Sequence, residues 1–333
     1  MNFTIPDVMH AIQVINPGEN SQLAWQTVRV PKPAPGQLLL KTAAAGINRA
    51  DLMQRQGRYP APKGDSDILG LEASGIVVAV GDTSLDEHLG HAKFGLVNGG
   101  GYAEYVILPA SQAIDVPVGW SMAQAAATAE TFLTAYQLLF TIGQASAGQR
   151  VLLHAGASGV GTSAIMLAKA KGLQVAVTVG SNVKAAACLK LGADSAINYR
   201  EDDFVARLLD HWPTGCDLIL DPVAGSYLAA NTRLLALDGK IIVYAMMGGR
   251  VLTEFDLAGL FQKRGQLLFS TLRNRDPAYK QQLTADFMSD FADALHANTL
   301  QPVLHATFAA SDVDAAHALL RSNNTIGKLV LCF

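Results

Sequence analysis

The feature that most constrains this chain is the run Val151-Leu152-Leu153-His154-Ala155-Gly156-Ala157-Ser158-Gly159-Val160-Gly161-Thr162. Apolar residues that read as a buried strand pass through a glycine-rich turn straight into residues that read as a helix. In such a turn the first glycine lets the chain reverse, backbone near Ser158 comes close to a pyrophosphate, and Gly161 lets the helix pack on the strand. The helix N-terminus then faces the phosphate charge. Ser158 stands where a second glycine is usual, so the match draws its weight from context: it follows a predicted strand and opens a strand–helix–strand unit. A tight turn without a ligand is the plainer alternative.

The context extends in both directions. A helix is expected over 122–140, and beyond it apolar strands at 150–155, 174–179, 218–221, 240–245 and 266–270 alternate with helices at 162–171, 183–191, 227–235 and 256–263. Apolar strands separated by helices of this length indicate a parallel sheet covered on both faces, and right-handed crossovers make it doubly wound. The chain before about residue 125 differs. Proline and glycine punctuate it at Pro31, Pro33, Pro35, Gly36, Gly57, Pro60 and 99–101, and strand-like runs lie at 37–42, 75–80 and 102–107, as in an all-β or barrel-like module. The tail offers helices at 277–297 and 313–321 and a strand at 327–331, which either complete the first module or form their own.

Composition narrows the function. With 333 residues, 50% hydrophobic and 16% charged, the chain holds ample core material and is not disordered. A net charge of -3, without blocks of like charge, excludes nucleic acid and anionic membrane surfaces as partners and favours small neutral or anionic ligands. No apolar stretch approaches the roughly 18 residues of a membrane span, and Met1-Asn2-Phe3-Thr4-Ile5-Pro6-Asp7 lacks a basic segment followed by an apolar one, so a soluble, unprocessed protein is expected. Cys188, Cys216 and Cys332 build neither a disulfide framework nor a metal knuckle and point to a reducing cytoplasm. His88-x-x-His91 is the sole histidine pair at ligand spacing, in a polar loop better read as solvated; no metal is expected. Neither a G-x-S-x-G elbow nor a P-loop is present, which leaves hydride transfer from a bound nicotinamide as the fitting chemistry.

About 20 residues beyond the turn an NAD site carries a carboxylate for the ribose hydroxyls. Here the stretch is Val179-Gly180-Ser181-Asn182-Val183-Lys184, with a small turn, a hydroxyl and a lysine, the chemistry of a 2′-phosphate pocket; NADPH is the expected cofactor. The alternative makes Ser181 an N-cap and Lys184 a solvated side chain. Tyr199 adds a phenolic donor or is a half-buried surface tyrosine.

At this point the residues resemble a known family, the zinc-independent quinone oxidoreductases of the medium-chain dehydrogenase/reductase superfamily, and within it the tumour-suppressor-inducible NADPH-dependent branch. The resemblance rests on Asn48-Arg49-Ala50-Asp51-Leu52-Met53-Gln54-Arg55-Gln56-Gly57, on Ile68-Leu69-Gly70-Leu71-Glu72-Ala73-Ser74-Gly75, on the 154–162 turn, on Met246-Met247-Gly248-Gly249, and on 272–276 and 326–330. It implies an α/β protein with a GroES-like β-rich catalytic domain, residues 1–127 and 272–333, and an inserted NADPH-binding Rossmann domain, 128–271. Zinc-dependent relatives have cysteine where Asn48 stands and histidine where Leu71 stands, so the resemblance implies that the catalytic zinc is missing. The segment 82–95 departs from the family's turn and is expected to be a divergent loop.

The resemblance also assigns residues. Ser158, Gly159, Val160 and Gly161 match the pyrophosphate turn, and Gly180, Ser181, Lys184 and Tyr199 the 2′-phosphate pocket. Asn48, Thr134, Met247, Gly248, Ser270 and Leu272 match the nicotinamide end, and Tyr59 the mouth of the quinone site; Asn48, Tyr59 and Thr134 are the implied catalytic set. Asn48 and Thr134 otherwise satisfy buried backbone groups, Tyr59 is otherwise a loop aromatic, and Met247 and Leu272 are otherwise core. The implied reaction is reduction of a small-molecule quinone by NADPH. Reduction of an activated alkene and a non-catalytic NADPH-binding role are the alternatives. A homodimer is implied, with 243–255 as a possible edge of the sheet.

Overall fold

The structure is a computed structural model in which residues 3–252 and 254–333 are described. Part of the N-terminal reading, Met1 and Asn2, and Thr253 of the expected edge segment lie outside the described residues. In chain order the strands are β1 (Val8–Ile15), β2 (Gln22–Arg29), β3 (Gln37–Ile47), β4 (Glu72–Val80), β5 (Ala92–Leu96), β6 (Tyr105–Pro109), β7 (Ile114–Asp115), β8 (Arg150–His154), β9 (Gln174–Val179), β10 (Ser195–Asn198), β11 (Cys216–Asp221), β12 (Leu235–Val243), β13 (Gln266–Phe269), β14 (Leu304–Ala309) and β15 (Lys328–Cys332). The helices are α1 (Arg49–Arg55), α2 (Met122–Ala126), α3 (Ala129–Tyr136), α4 (Gly159–Ala170), α5 (Asn182–Lys190), α6 (Phe204–His211), α7 (Tyr227–Leu234), α8 (Ala258–Gln262), α9 (Pro277–His296) and α10 (Val313–Arg321).

The chain divides into two compact units, residues 1–133 with 273–333, and residues 134–272. In the first, β14, β15, β3, β4, β5 and β7 follow one another in a sheet, with β6 also paired to β3, while β1 and β2 form a separate antiparallel pair. The tail completes this unit: β15 pairs antiparallel with β3 through Leu329 opposite Ile47 and Val330 opposite Gly46. Ile12, Ala45, Ile47, Leu69, Tyr102, Val313, Leu329 and Leu331 make one of its cores.

In the second unit the sheet order is β10-β9-β8-β11-β12-β13, all neighbours parallel. Val151, Leu152 and Leu153 of β8 are buried because β9 and β11 flank that strand and α4 begins directly after it. The order reverses beside β8, so the C-terminal ends of β8 and β11 bound the crevice in which open α/β sheets take their ligands.

Several expectations are corrected. The helix over 122–140 is broken into α2, α3 and a π-helical turn at Gln137–Ile142; at the break the Thr128 hydroxyl donates to the Gln124 carbonyl at 2.8 Å, a side-chain bond that competes with the helix ladder. The first module is not all-β, since α1 lies within it. The divergent 82–95 segment is a 3₁₀ turn, Thr83–His88, followed by strand β5, in which Phe94 is fully buried. The described residues of 244–257 form no strand, and β13 and β10 are the edges of the parallel sheet.

Candidate functional site

In the second unit the glycine-rich turn has the expected form with one difference. The reversal after β8 is made by Ala155, at φ 54°, rather than by the first glycine. Gly156 is required for a close approach instead: a Cβ there would lie 2.5 Å from the Cβ of Val177. At Gly161 a Cβ would lie 2.5 Å from the carbonyl oxygens of Ala155 and Gly156, so this glycine does let the helix sit on the turn. Ser158 is the N-cap of α4, its Oγ accepting the Gly161 N–H at 3.1 Å. That leaves the N–H groups of Gly159 and Val160 in the first helical turn, where no helix carbonyl can reach them, as donors for an anion.

Beneath the turn lies a buried polar chain. Thr178 Oγ1 is 2.8 Å from His154 Nδ1, His154 Nε2 is 2.7 Å from Asn231 Oδ1, and Asn231 Nδ2 donates to Asp221 Oδ2 at 2.8 Å. Asp221 Oδ1 accepts the N–H groups of Val223 and Ala224 at 2.6 and 2.9 Å, which fixes the loop after β11. Burial pushes the His154 pKa down, so the ring is neutral in this chain of bonds. Met247 and Gly248 rest on the same loop, their N–H groups donating to the Pro222 and Val223 carbonyls at 3.1 and 2.7 Å. Met247 is 48% exposed, which removes its reading as core, whereas Leu272 is buried. Ser270 is buried with its hydroxyl donating to Gln137 Oε1 at 3.1 Å, and Thr134 is half-buried on α3.

The four residues assigned to a 2′-phosphate pocket do come together. A Cβ on Gly180 would lie 2.9 Å from the Tyr199 hydroxyl, and Ser181 caps α5 by accepting the Lys184 N–H at 3.4 Å. The Lys184 ammonium is lowered by burial and then by the neighbouring positive charge of Arg200. The nearby Glu201 carboxylate accepts from Asn182 Nδ2 at 3.0 and 3.3 Å. Sequence reasoning missed Arg200, although it directly follows Tyr199.

In the first unit Asn48 and Tyr59 belong to a larger polar centre. Asn48 precedes α1, and its backbone N–H donates to Asp51 Oδ2 at 2.7 Å. Its side-chain amide is engaged at both ends: Nδ2 donates to Glu72 Oε1 at 3.0 Å, and Oδ1 accepts from Lys328 Nζ at 2.6 Å. Lys328 also pairs with Glu72 Oε1 at 2.7 Å and donates to the Ile47 carbonyl at 2.8 Å; Glu72 is fully buried and Lys328 nearly so. Burial holds the Asp51 carboxyl up at about 6, with the Gly70 N–H and the Tyr102 hydroxyl donating to it at 3.1 Å. Tyr102 Oη is 3.0 Å from His317 Nε2, and burial drives that imidazole down to about 3.

Glu130 joins this centre through its N–H, which donates to Glu72 Oε2 at 2.9 Å. Burial, then the charge of Glu72, raises its carboxyl to about 7, which makes Glu130 a group that holds or gives a proton near neutrality. Tyr59 is half-buried, with its phenol pushed up by burial and by Glu130, and the Arg273 guanidinium stands 5.3 Å from its ring centroid. Sequence reasoning gave no role to Glu130, Arg273 or Lys328, although Arg273 and Lys328 lie in the 272–276 and 326–330 runs that carry the resemblance. The cation between Asn48 and Glu72 bears on a metal: the Lys328 ammonium already neutralises these oxygens, so this donor set does not fit a divalent ion. Among the described residues no three His, Cys, Asp or Glu side chains gather as metal ligands.

The chain matches the family described as alcohol dehydrogenase GroES-like domain over residues 34–118 and that described as zinc-binding dehydrogenase over residues 159–290. The human synaptic vesicle membrane protein VAT-1 homolog is 35% identical over 216 residues, which make up 65% of this chain and 55% of that protein. The chain thus spans about half the length of this curated relative. Among solved structures, a mycobacterial protein complexed with NADPH matches with TM-score 0.85 and 28% identity, covering 98% of this chain and 100% of that one. A quinone oxidoreductase of Pseudomonas syringae pv. tomato DC3000 matches with TM-score 0.84 and 28% identity over 98% and 100%. A GroES-like domain with an inserted doubly wound domain is the architecture shared with these proteins. Among the described residues no helix is long and apolar enough to cross a membrane.

Proposed function

We propose that this oxidoreductase of the medium-chain dehydrogenase/reductase superfamily passes hydride from NADPH to a quinone without a metal ion. The observation that carries the reading is the pair of cations Lys184 and Arg200 beside Gly180 and Tyr199, where an NAD site has a carboxylate. Two positive charges held together are stabilised by a dianion, and the 2′-phosphate of NADPH is one. The NADPH-complexed mycobacterial structure and the Pseudomonas quinone oxidoreductase support the cofactor and the acceptor. The motifs at 48–57, 154–162 and 246–249 align the proposal with the tumour-suppressor-inducible NADPH quinone oxidoreductases.

Bound NADPH supplies the hydride. The protein's residues supply position: Gly159 and Val160 N–H groups receive the pyrophosphate, Lys184, Arg200, Ser181 and Tyr199 the 2′-phosphate, and Met247, Gly248, Ser270, Leu272 and Thr134 the nicotinamide end. A quinone is electrophilic enough to accept hydride without a Lewis acid, so Tyr59 has only to orient the ring. Asn48, matched to the nicotinamide end and to the implied catalytic set, is held there by its amide bonds to Glu72 and Lys328. The proposal places the protein in the cytoplasm, where its three free thiols persist, as a homodimer. Exposed Phe261 and Phe269, on and near the β13 edge, support that association.

The test is NADPH oxidation with a quinone acceptor in chelator, run beside NADH and beside Lys184→Ala. Chelator-resistant turnover is expected, with a preference for NADPH that falls by at least about tenfold in the variant, the scale of one lost charge-assisted contact. Equal use of NADH and NADPH by the wild type would overturn it. A second reading, reduction of an activated alkene, is favoured by Glu130, whose carboxyl still carries a proton near pH 7 and so can protonate the α-carbon. An enone in the same assay separates the two.

A further inference from the structure

Arg273 is 7% exposed, yet two of its three guanidinium nitrogens are unpaired. Nη1 donates to Gln54 Oε1 at 2.8 Å and to the Tyr59 carbonyl at 3.4 Å, and the planar group lies over the Tyr59 ring. Nε and Nη2 have no hydrogen-bond partner, and no carboxylate pairs with this charge among the described residues. Lys280, 5% exposed, adds a second buried cation, its pKa lowered by its burial; its Nζ donates to Asn98 Oδ1 at 3.0 Å.

The open edge has a known use elsewhere in the same chain. Arg150 holds Asp217 by Nε and Nη2, both at 3.1 Å, and Arg264 holds Asp238 by the same two atoms at 2.7 and 2.5 Å. This edge presents two parallel N–H groups at the spacing of carboxylate oxygens. In those two arginines the edge is filled and more exposed; in Arg273 it is buried and unpaired. A buried charge and two buried donors left unpaired are both costly, and a ligand that fills the edge removes both costs at once.

We infer that the Nε–Nη2 edge of Arg273 is a receptor for the carboxylate of a small-molecule ligand in the first unit. A carboxylate fits better than a tetrahedral phosphate: it is planar like the fork and brings the single negative charge that Arg273 lacks. Tyr59 holds the fork in place from one face and Gln54 from the far edge, so the receptor is preorganised. The inference concerns binding and stands whether or not a quinone is the acceptor.

The full-length protein, with and without saturating NADPH, is titrated with benzoate, benzamide and inorganic phosphate, and binding is read by ligand-observed NMR and by the shift in Tm. Benzoate is expected to bind at least about tenfold more tightly than benzamide, which has the same shape without the charge. Arg273→Lys, which keeps the charge and loses the fork, is expected to weaken benzoate by about tenfold while leaving benzamide unchanged. The benzoate–benzamide comparison needs no variant, so a poorly folding Arg273→Lys does not rescue the idea. No benzoate binding, equal binding of benzamide, or phosphate binding as tightly as benzoate would each overturn it. Benzoate binding in a protein that turns over no quinone would sink the proposed reaction and leave this receptor standing.

Discussion

The glycine-rich turn of the second unit takes its working parts from one continuous run, 154–162, whereas the polar centre of the first unit gathers Asn48, Asp51, Glu72, Tyr102, Glu130, His317 and Lys328 from across the chain. The turn works with backbone N–H groups that any sequence of the right shape presents. The polar centre works with side-chain charges that have to be paired in the dark of a core. A local device of this kind tolerates replacement of one side chain, while a distributed charge network fails when one partner goes.

The sharpest break of this comparison is Lys328→Met. It leaves the Glu72 carboxylate fully buried with donors from Asn48 and the Glu130 N–H but without its counter-charge. A loss of about 3–5 kcal/mol is expected in denaturant unfolding, the range for orphaned buried charges. Adding Glu72→Gln to the same variant should return much of it, because the orphan is then neutral. A single variant that loses under about 1 kcal/mol would show that the centre is not a charge network.

These two regions also explain what the sequence could disclose. Strand, turn and helix at 150–170 are legible because each residue's neighbours in space are its neighbours in sequence, and Gly180, Ser181, Lys184 and Tyr199 follow because β9 and β10 end side by side. Even there the reversal at Ala155 was invisible, since left-handed backbone is the habit of glycine and not of alanine. The roles of Glu130 and Lys328 could not be read, although Lys328 lies in the 326–330 run that carries the resemblance. Each reads as one charged residue in an apolar stretch, and only the pairing of β15 with β3 and the approach of α3 to β4 turn them into partners of Glu72. The breaks in 122–140 were hidden for a related reason: apolar periodicity continues through Thr128, where the first helix has already ended.

Glu130 sharpens the comparison through pH. Its carboxyl is raised from 4.5 to about 7 in the folded chain, so folding favours its protonated form. The stability it contributes is complete below about pH 4.5 and is lost as pH rises through 7. Glu130→Gln removes that loss and is expected to be more stable than wild type above pH 7, by up to about 3 kcal/mol. Thermal melts of both proteins from pH 5 to 8.5 check this; curves that stay parallel would mean that the carboxyl is paired and ionised throughout.

The smallest effect is expected from Ser158→Ala in the turn. The hydroxyl caps α4 by accepting the Gly161 N–H at 3.1 Å, and loss of an N-cap costs about 1 kcal/mol. The phosphate donors proposed above, however, are the N–H groups of Gly159 and Val160, which alanine leaves where they are. NADPH affinity, read by fluorescence titration, should therefore change by less than about threefold, under 1 kcal/mol, while Tm falls by a few degrees. A tenfold loss of affinity with an unchanged Tm would place the Ser158 hydroxyl on the phosphate and not on the helix. The turn would then depend on a side chain after all, and the contrast with the charged centre of the first unit would narrow.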